Sequence, residues 1–427
     1  MAPMKILISG AGIGGNAVAY WLSKLGHDIT VVERFPDLRT TGLQIDLRGY
    51  GIEVLKRMGL DEAFHAKAAP EQGMQIVDKS GRRRGYFPAN TSGKGSQNFT
   101  SEYEIMRGDL CRIMHDVTKD RVEYIFGTSI ANFEEKDGAV DVKFSDGKTG
   151  RYDLLIGADG VGSRTRKMML GPGAEDAFVP ISDGEYIAYF TVPQPMREGE
   201  EYMATFFLAT KNRWVLTRRS NPEEMQLYFA CKLDAGRIRT ARKEGLKEEK
   251  EALVEVFKDA GWKLAEFLEF IQSTDNFYGE HLGLIKLDSW SRGRVTLLGD
   301  AGYCPSVHTG MGTTSAMVGA YILAGEIGKH CGRSDDGDAG KGGDSKDGVA
   351  AALAAYEQKF RPFMGHIQKG IEERSRWDGF MSTSFGVGVI NIIVGIASLF
   401  KVNVGRLALK EDLKGWDLPE YKEMMRD

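Results

Sequence analysis

The sequence predicts an α/β fold: a parallel sheet opened by a βαβ unit, a second layer of antiparallel strands, and helices at the C-terminus. Three observations carry this. The first 35 residues read strand, tight turn, helix, strand, the order that yields a parallel pair. Residues 186–231 hold four strand-like runs with no helix between them, the pattern of an antiparallel sheet. From Leu353 onward the apolar spacing is helical. A chain of 427 residues with 42% hydrophobic content is long enough for two or three buried cores.

Taken in order, Met4–Ser9 is a short β run. Asn16–Leu25 then places Val18, Trp21, Leu22 and Leu25 at helical spacing before Gly26 stops the helix. Asp28–Val32 resumes strand character and ends in Glu33. Ile52–Met58 and Met106–Val117 read as helices, flanking a Gly-, Ser-, Asn- and Arg-rich stretch with a short strand at Met74–Val77. Val122–Ile125, Ile130–Lys136, Ala139–Phe144 and Tyr152–Ile156 follow. Asp137-Gly138 and Asp146-Gly147 supply turns, and a three-stranded meander is expected. Tyr186–Val192, Met203–Leu208, Trp214–Arg218 and Gln226–Cys231 form the antiparallel set. Glu248–Gly261 and Leu264–Gln272 are amphipathic helices, and Arg294–Leu298 is a buried strand. Gly332–Gly348 is a low-complexity loop, expected to be mobile. There is no internal repeat.

Charge and cysteine content exclude several function classes. Lys and Arg number 56 against 60 Asp and Glu, a net −4, so no basic excess points to nucleic acid. Cys111, Cys231, Cys304 and Cys331 are scattered, which argues against a disulfide scaffold or a zinc site and for a reducing, cytoplasmic location. The apolar run Phe385–Phe400 is interrupted by Gly386, Gly388, Asn391 and Gly395. It falls short of the roughly 20 residues of a membrane span. It is expected to be a helix packed on the body, with weak peripheral membrane contact by the C-terminal tail as the alternative.

Three stretches carry chemistry. Gly10-Ala11-Gly12-Ile13-Gly14-Gly15 fits G-x-G-x-x-G between a strand and a helix. Gly10 allows the tight turn, Gly12 lets backbone approach a pyrophosphate, and Gly15 lets the helix pack close to the strand. Glu33 can accept hydrogen bonds from ribose hydroxyls and argues against a 2′-phosphate; the motif alone fits FAD and NAD equally. The second stretch is Gly157-Ala158-Asp159-Gly160, followed by Ser163, Arg164 and Arg166. The third is Gly299-Asp300-Ala301, followed by Gly310-Met311-Gly312-Thr313 and a helix from about Thr314. A strand-end carboxylate can hold a polyol hydroxyl, and a glycine turn into a helix N-terminus suits an anionic ring system. Several residues admit two readings. Arg48 faces a bound cofactor ring or makes a surface salt bridge. His308 touches substrate or is a loop histidine. Arg213 and Trp214 line a pocket or form a sheet face. No Ser-His-Asp order, metal-ligand cluster or P-loop is present.

In this order and spacing the three stretches resemble the single-component, aromatic-hydroxylase class of flavoprotein monooxygenases, whose fold is typified by p-hydroxybenzoate hydroxylase. Gly299–Pro305 and Val318–Glu326 are most similar to the tetracycline-inactivating monooxygenases and their fungal and bacterial relatives. Two departures stand out, His308-Thr309-Gly310 in place of a more apolar approach to the glycines, and Gly319 where many members have Asp. The resemblance implies non-covalent FAD, NADPH as donor, O2 and a small aromatic substrate. By position, Gly10, Gly12, Gly15, Glu33 and the adjoining Arg34 would bind FAD, with Glu33 on the ribose. Asp46, Arg107 and Asp159 would join them; Asp300 would contact the ribityl chain, and Gly312 and Thr313 would meet the pyrimidine edge. Arg39 matches an arginine assigned to NADPH.

The implied reaction is hydroxylation of a phenolic or polyketide-like aromatic through a flavin hydroperoxide, with no dedicated catalytic side chain and no metal. Baeyer–Villiger or epoxidising chemistry on this scaffold, or a non-redox prenyl-binding protein, are the alternatives. A halogenase Trp-x-Trp-x-Ile-Pro stretch and a second G-x-G-x-x-G are both missing. The expected division is a Rossmann-like FAD domain in segments 1–71, 104–178 and 279–331, and an antiparallel-sheet substrate domain in 72–103 and 179–278. A flexible loop at 332–348 and C-terminal helices over 349–427 complete it.

Overall fold

Lys5–Ser9 lies inside a six-stranded sheet whose order is Ser291–Arg292, Val295–Leu297, Leu154–Gly157, Lys5–Ser9, Asp28–Glu33, Glu123–Phe126. The computed structural model describes residues 3–39, 42–90, 100–232, 237–331, 345–371, 378–400 and 415–425. The central strands are parallel, and only the short Ser291–Arg292 piece pairs antiparallel. Ile6, Leu7 and Ile8 are all fully buried because both faces are covered. Ile6, Ile8 and Val31 meet the helices Ile13–Lys24 and Gly312–Cys331. Leu7, Val32 and Leu155 meet the meander residues Val140, Val142 and Phe144.

The meander is Ile130–Lys136, Ala139–Phe144 and Thr149–Tyr152, turned at Asp137 and Gly138, both with positive φ. The expected single strand Tyr152–Ile156 is two strands. Thr149–Tyr152 closes the meander, and Leu154–Gly157 enters the parallel sheet. The chain switches at Asp153, whose carboxylate accepts the Lys5 N–H at 2.8 Å while its own N–H donates to the Lys5 carbonyl. Leu154-Leu155-Ile156 does not alternate, as suits a strand buried on both faces.

A seven-stranded sheet runs Phe277–Ile285, Phe178–Pro193, Glu224–Lys232, Arg213–Arg218, Met203–Ala209, Gly73–Val77, Arg83–Pro88. It is not wholly antiparallel: Met203–Ala209 pairs parallel with Gly73–Val77, which arrives from an earlier part of the chain. Phe277–Ile285 pairs with Phe178–Pro193, so this strand spans the position of the expected boundary at 278/279. Along Phe178–Pro193, Tyr186, Ala188 and Phe190 face the helices Leu246–Phe257 and Leu264–Ser273. Ile187 and Tyr189 face the other way, with Tyr228.

Gly312–Cys331 is buried nearly all round and packs against Ser345–Gln368. That helix begins at Ser345, inside the stretch expected as a loop; residues 332–344 of that loop lie outside the described residues. Ser384–Leu399 packs on Arg83–Pro88, where the Ser398 hydroxyl accepts from the Tyr86 N–H and donates to its carbonyl, both at 2.9 Å. Its opposite face exposes Phe385, Ile392, Ile396 and Leu399. Among the described residues no helix is long and apolar enough to cross a membrane.

Candidate active site

The glycine turn is built by close approach. A Cβ on Gly15 would lie 1.9 Å from the Gly10 carbonyl oxygen, and one on Gly10, at φ +106°, 2.6 Å from the Ala158 oxygen. A Cβ on Gly12 would meet only Arg107, at 3.5 Å. The first two positions are closed to any side chain by the protein itself, and the third borders open space. Asn16, fully buried in the first helix, donates to the Ala11 carbonyl at 2.7 Å and the Gly12 carbonyl at 3.0 Å, and accepts from the Tyr124 hydroxyl at 2.8 Å. Sequence reading missed this brace; its signal is a single amide on an otherwise apolar helix face.

Glu33 accepts the Ala11 N–H at 3.0 Å and the Phe35 N–H at 3.1 Å. A carboxylate has about four acceptor sites, so capacity remains for hydroxyl donors. It borders a cavity of about 140 Å³ together with Gly10, Gly12, Arg34 and Asp159. The Asp159 carboxylate is itself taken up by the next helix, accepting from the Ser163 hydroxyl and from the Arg164 and Thr165 N–H groups at 2.9 and 3.0 Å. It shapes the cavity wall with most of its acceptors already used.

A second cavity of about 570 Å³ lies between the two sheets. Gly12, Arg39, Arg107 and Ala158 line both cavities and so form their common wall. Asp46, Asp300, Gly312 and Thr313 line one side. Thr314 ties these segments together: its hydroxyl accepts the Arg48 N–H at 2.9 Å and donates to the Arg48 carbonyl at 3.0 Å. A Cβ on Gly312 would meet nothing within 4 Å. Asp300 follows Gly299, whose φ of +63° makes the strand-to-helix corner. Its side chain opens into the cavity, yet burial still pushes its carboxyl above the ordinary range, against hydrogen bonding from Cys304 and attraction to Arg107.

The large sheet supplies the facing wall with Ile187, Tyr189, Trp214, Leu216 and Tyr228. Arg213 and Trp214 therefore divide. Trp214 lines the cavity, whereas the Arg213 guanidinium is buried on the far face, donating to the Val256 and Thr210 carbonyls and to Asp259. Arg48 makes a salt bridge, to half-buried Asp46, with its guanidinium buried rather than at the surface. His308 lines the cavity with Nε2 paired to Glu185 at 2.7 Å. Arg39 is half-buried, its guanidinium over the rings of Phe35 at 5.2 Å and Tyr278 at 5.7 Å.

Two polar groups went unseen in the sequence. Glu280 lines the cavity and accepts from the Tyr189 and Tyr278 hydroxyls, each at 3.2 Å. Burial, reinforced by Asp300, holds its carboxyl above the ordinary range. Its signal is the Tyr278-Gly279-Glu280 alternation in a strand that propensity alone did not mark. Below the Gln44 edge of the cavity, Arg218 bridges buried Glu71 and Glu104, and burial pushes Glu104 up to about 8.

Residues 3–337 match the FAD binding domain family. Over its full length the chain is 50% identical to the FAD-dependent monooxygenase asL4 of Sarocladium schorii, covering all of both chains. It is 39% identical to the flavin-dependent monooxygenase eupH of Phoma sp, with 93% of each covered. Among solved structures, the tetracycline destructase Tet(51) superposes with a TM-score of 0.72 at 29% identity, covering 98% of this chain and 99% of that one. Relatives and fold agree with a site whose glycine turn leaves room for a dinucleotide. The chain belongs to the FAD binding domain family and, within it, to the FAD-dependent monooxygenases built on the aromatic-hydroxylase fold.

Proposed function

We propose that the protein uses NAD(P)H and O2 to hydroxylate a phenolic or polyketide-like aromatic. The observation that carries this is the large cavity itself: Asp300, Gly312 and Thr313 on one side, and a floor of Tyr189, Trp214 and Tyr228 on the other. FAD, when bound, supplies the redox chemistry and the activation of O2. The residues present fit it. Gly10 and Gly15 hold the turn, Gly12 leaves room for a pyrophosphate, and Glu33 with Arg34 would hold the ribose end. Arg107 lies in the common wall of the two cavities, Asp46 lines the larger one, Asp159 shapes the smaller one, and Asp300 would accept from the ribityl hydroxyls. The empty space beyond Gly312 and Thr313, at the start of a 20-residue helix, suits the electron-rich edge of the ring.

The aromatic floor binds a flat substrate and excludes water, which orients the ring and protects the reactive oxygen species. Likeness to a protein named as a tetracycline destructase supports a fused-ring, oxygenated aromatic as substrate. Among the described residues there is no second dinucleotide fold to hold the donor, and Arg39, at the common wall, is the cation we assign to its phosphate. The test is a screen of phenols and aromatic polyketides for stimulated NADPH oxidation by the yellow holoprotein, with mass spectrometry of products. Gain of one oxygen atom supports the reading; absence of stimulation by every phenol overturns it.

A further inference from the structure

The carboxylates that line the large cavity are not equivalent. Asp46 is paired with Arg48, whereas Asp300 and Glu280 have no cation within ion-pair distance among the described residues, and Asp300 is the one assigned above to the ribityl chain. Two neutral donors hold it instead: Tyr189 donates to one oxygen and Tyr278 to the other, both at 3.2 Å. They come from neighbouring strands, Phe178–Pro193 and Phe277–Ile285, so the plane of the carboxylate is fixed by the sheet. About two acceptor sites stay free. A half-buried carboxylate with no cation at ion-pair distance is costly as an anion, and a hydroxyl that can give up its proton relieves that cost. The floor beside it is aromatic: Tyr228 lies edge-on to Tyr189 with ring centroids 5.5 Å apart, and Trp214 continues the surface.

We propose that Glu280 is the proton acceptor for a substrate hydroxyl, and that it selects aromatics carrying a free phenol. This rests on the monooxygenase reading above. In the step the substrate O–H bond breaks and an O–H bond forms on a Glu280 oxygen. The electron pair stays on the substrate as phenolate, which raises the electron density of the ring to be oxygenated. No oxidant or reductant takes part. Tyr278 is 43% exposed and hydrogen-bonded to the same carboxylate, so it gives the proton a way to solvent.

The groups that face Glu280 set the direction of its titration. Burial is foremost and raises it, Asp300 raises it further, and the Tyr189 and Tyr278 hydroxyls and Arg242 lower it. Arg39 sits over the Tyr278 ring, and Cys304 lies by Asp300. A general base must be ionised, so kcat/KM falls as pH drops through its pKa.

The experiment uses the holoenzyme with the phenol that most stimulates NADPH oxidation in the screen, and the O-methyl ether of that phenol. Wild type is expected to show an acidic limb with the phenol and at least 100-fold lower kcat/KM with the ether. Glu280→Gln is expected to keep its FAD and bind the phenol within a few-fold. It should lose about 10²- to 10⁴-fold in kcat/KM, the span of general-base catalysis, together with the acidic limb. Tyr278→Phe, a milder variant, is expected to move the limb to higher pH by removing a donor to the ionised carboxylate. A limb that survives in Glu280→Gln, a limb unmoved in Tyr278→Phe, equal turnover of ether and phenol, or loss of FAD from Glu280→Gln overturns the proposal. Failure of every phenol to stimulate wild type overturns the substrate reading, and this inference with it.

Discussion

Asp300 is pulled in opposite directions by folding and by its proposed ligand. Its folded pKa is raised, so the ionised form destabilises the apoprotein. That penalty is absent below the ordinary carboxylate range, grows as pH rises, and is complete above the folded pKa. Asp300→Asn is therefore expected to raise the apoprotein Tm at pH 8 and leave it unchanged at pH 4, in calorimetry. The same change should weaken FAD by about 10- to 150-fold in a fluorescence titration, through loss of hydrogen bonds worth roughly 1.5–3 kcal/mol. Arg39→Ala is expected to raise the KM for NADPH about 5- to 30-fold, roughly 1–2 kcal/mol, with the flavin spectrum unchanged. Stopped-flow reduction checks it, and loss of FAD instead would assign Arg39 to the flavin. At this scale the sequence shows residues that sit in motifs, Glu33 and Asp300 among them. It hides those whose partners lie far along the chain: Glu280 meets Tyr189 across 91 positions, and no local pattern encodes that meeting.

Elements were legible where the pattern is local and hidden where tertiary placement decides. The βαβ opening, the Asp137-Gly138 turn and the helix after Gly312 follow from periodicity and turn chemistry. The split at Asp153 and the parallel seam of Met203–Ala209 with Gly73–Val77 depend on which strands meet. Glycines test the cofactor turn as an element. Gly15→Ala places a Cβ 1.9 Å from the Gly10 oxygen, so the helix must move off the strand. The expected product is a colourless protein with a lowered Tm. Gly312→Ala places its Cβ in open space. It is expected to leave the apoprotein Tm unchanged, or slightly higher from helix propensity, while weakening FAD. Equal FAD affinity in Gly312→Ala would move the ring away from that helix.

Across the whole molecule the large sheet is joined by charge to the two-stranded sheet of Gln44–Asp46 and Glu104–Met106. Arg218, on the large sheet, grips Glu71 and Glu104, and Glu104 sits on the short strand paired with Gln44–Asp46. Arg218→Met leaves the buried Glu71–Glu104 pair without its cation and is expected to cost about 3–5 kcal/mol in denaturant unfolding. Glu104 has a raised pKa near 8, so the folded state holds a proton there that the unfolded chain releases. Stability from this group declines as pH rises from the ordinary carboxylate range through about 8. Glu104→Gln is accordingly expected to stabilise the protein more at pH 9 than at pH 5, read from urea midpoints. The sequence shows the near-neutral balance of charge but not which charges are paired inside.

The floor of the large cavity has a consequence for how such proteins diverge. Ile187, Tyr189, Trp214, Leu216 and Tyr228 occupy alternate positions on regular strands whose other faces are anchored by separate helices. Trp214 and Leu216, the half-buried members, can be exchanged without disturbing the glycine turn or the buried Ile187, Tyr189 and Tyr228. Inheritance can thus rewrite the recognition surface one residue at a time while the oxidising apparatus is copied unchanged. A lineage built this way would explore new small molecules by drifting along one sheet face.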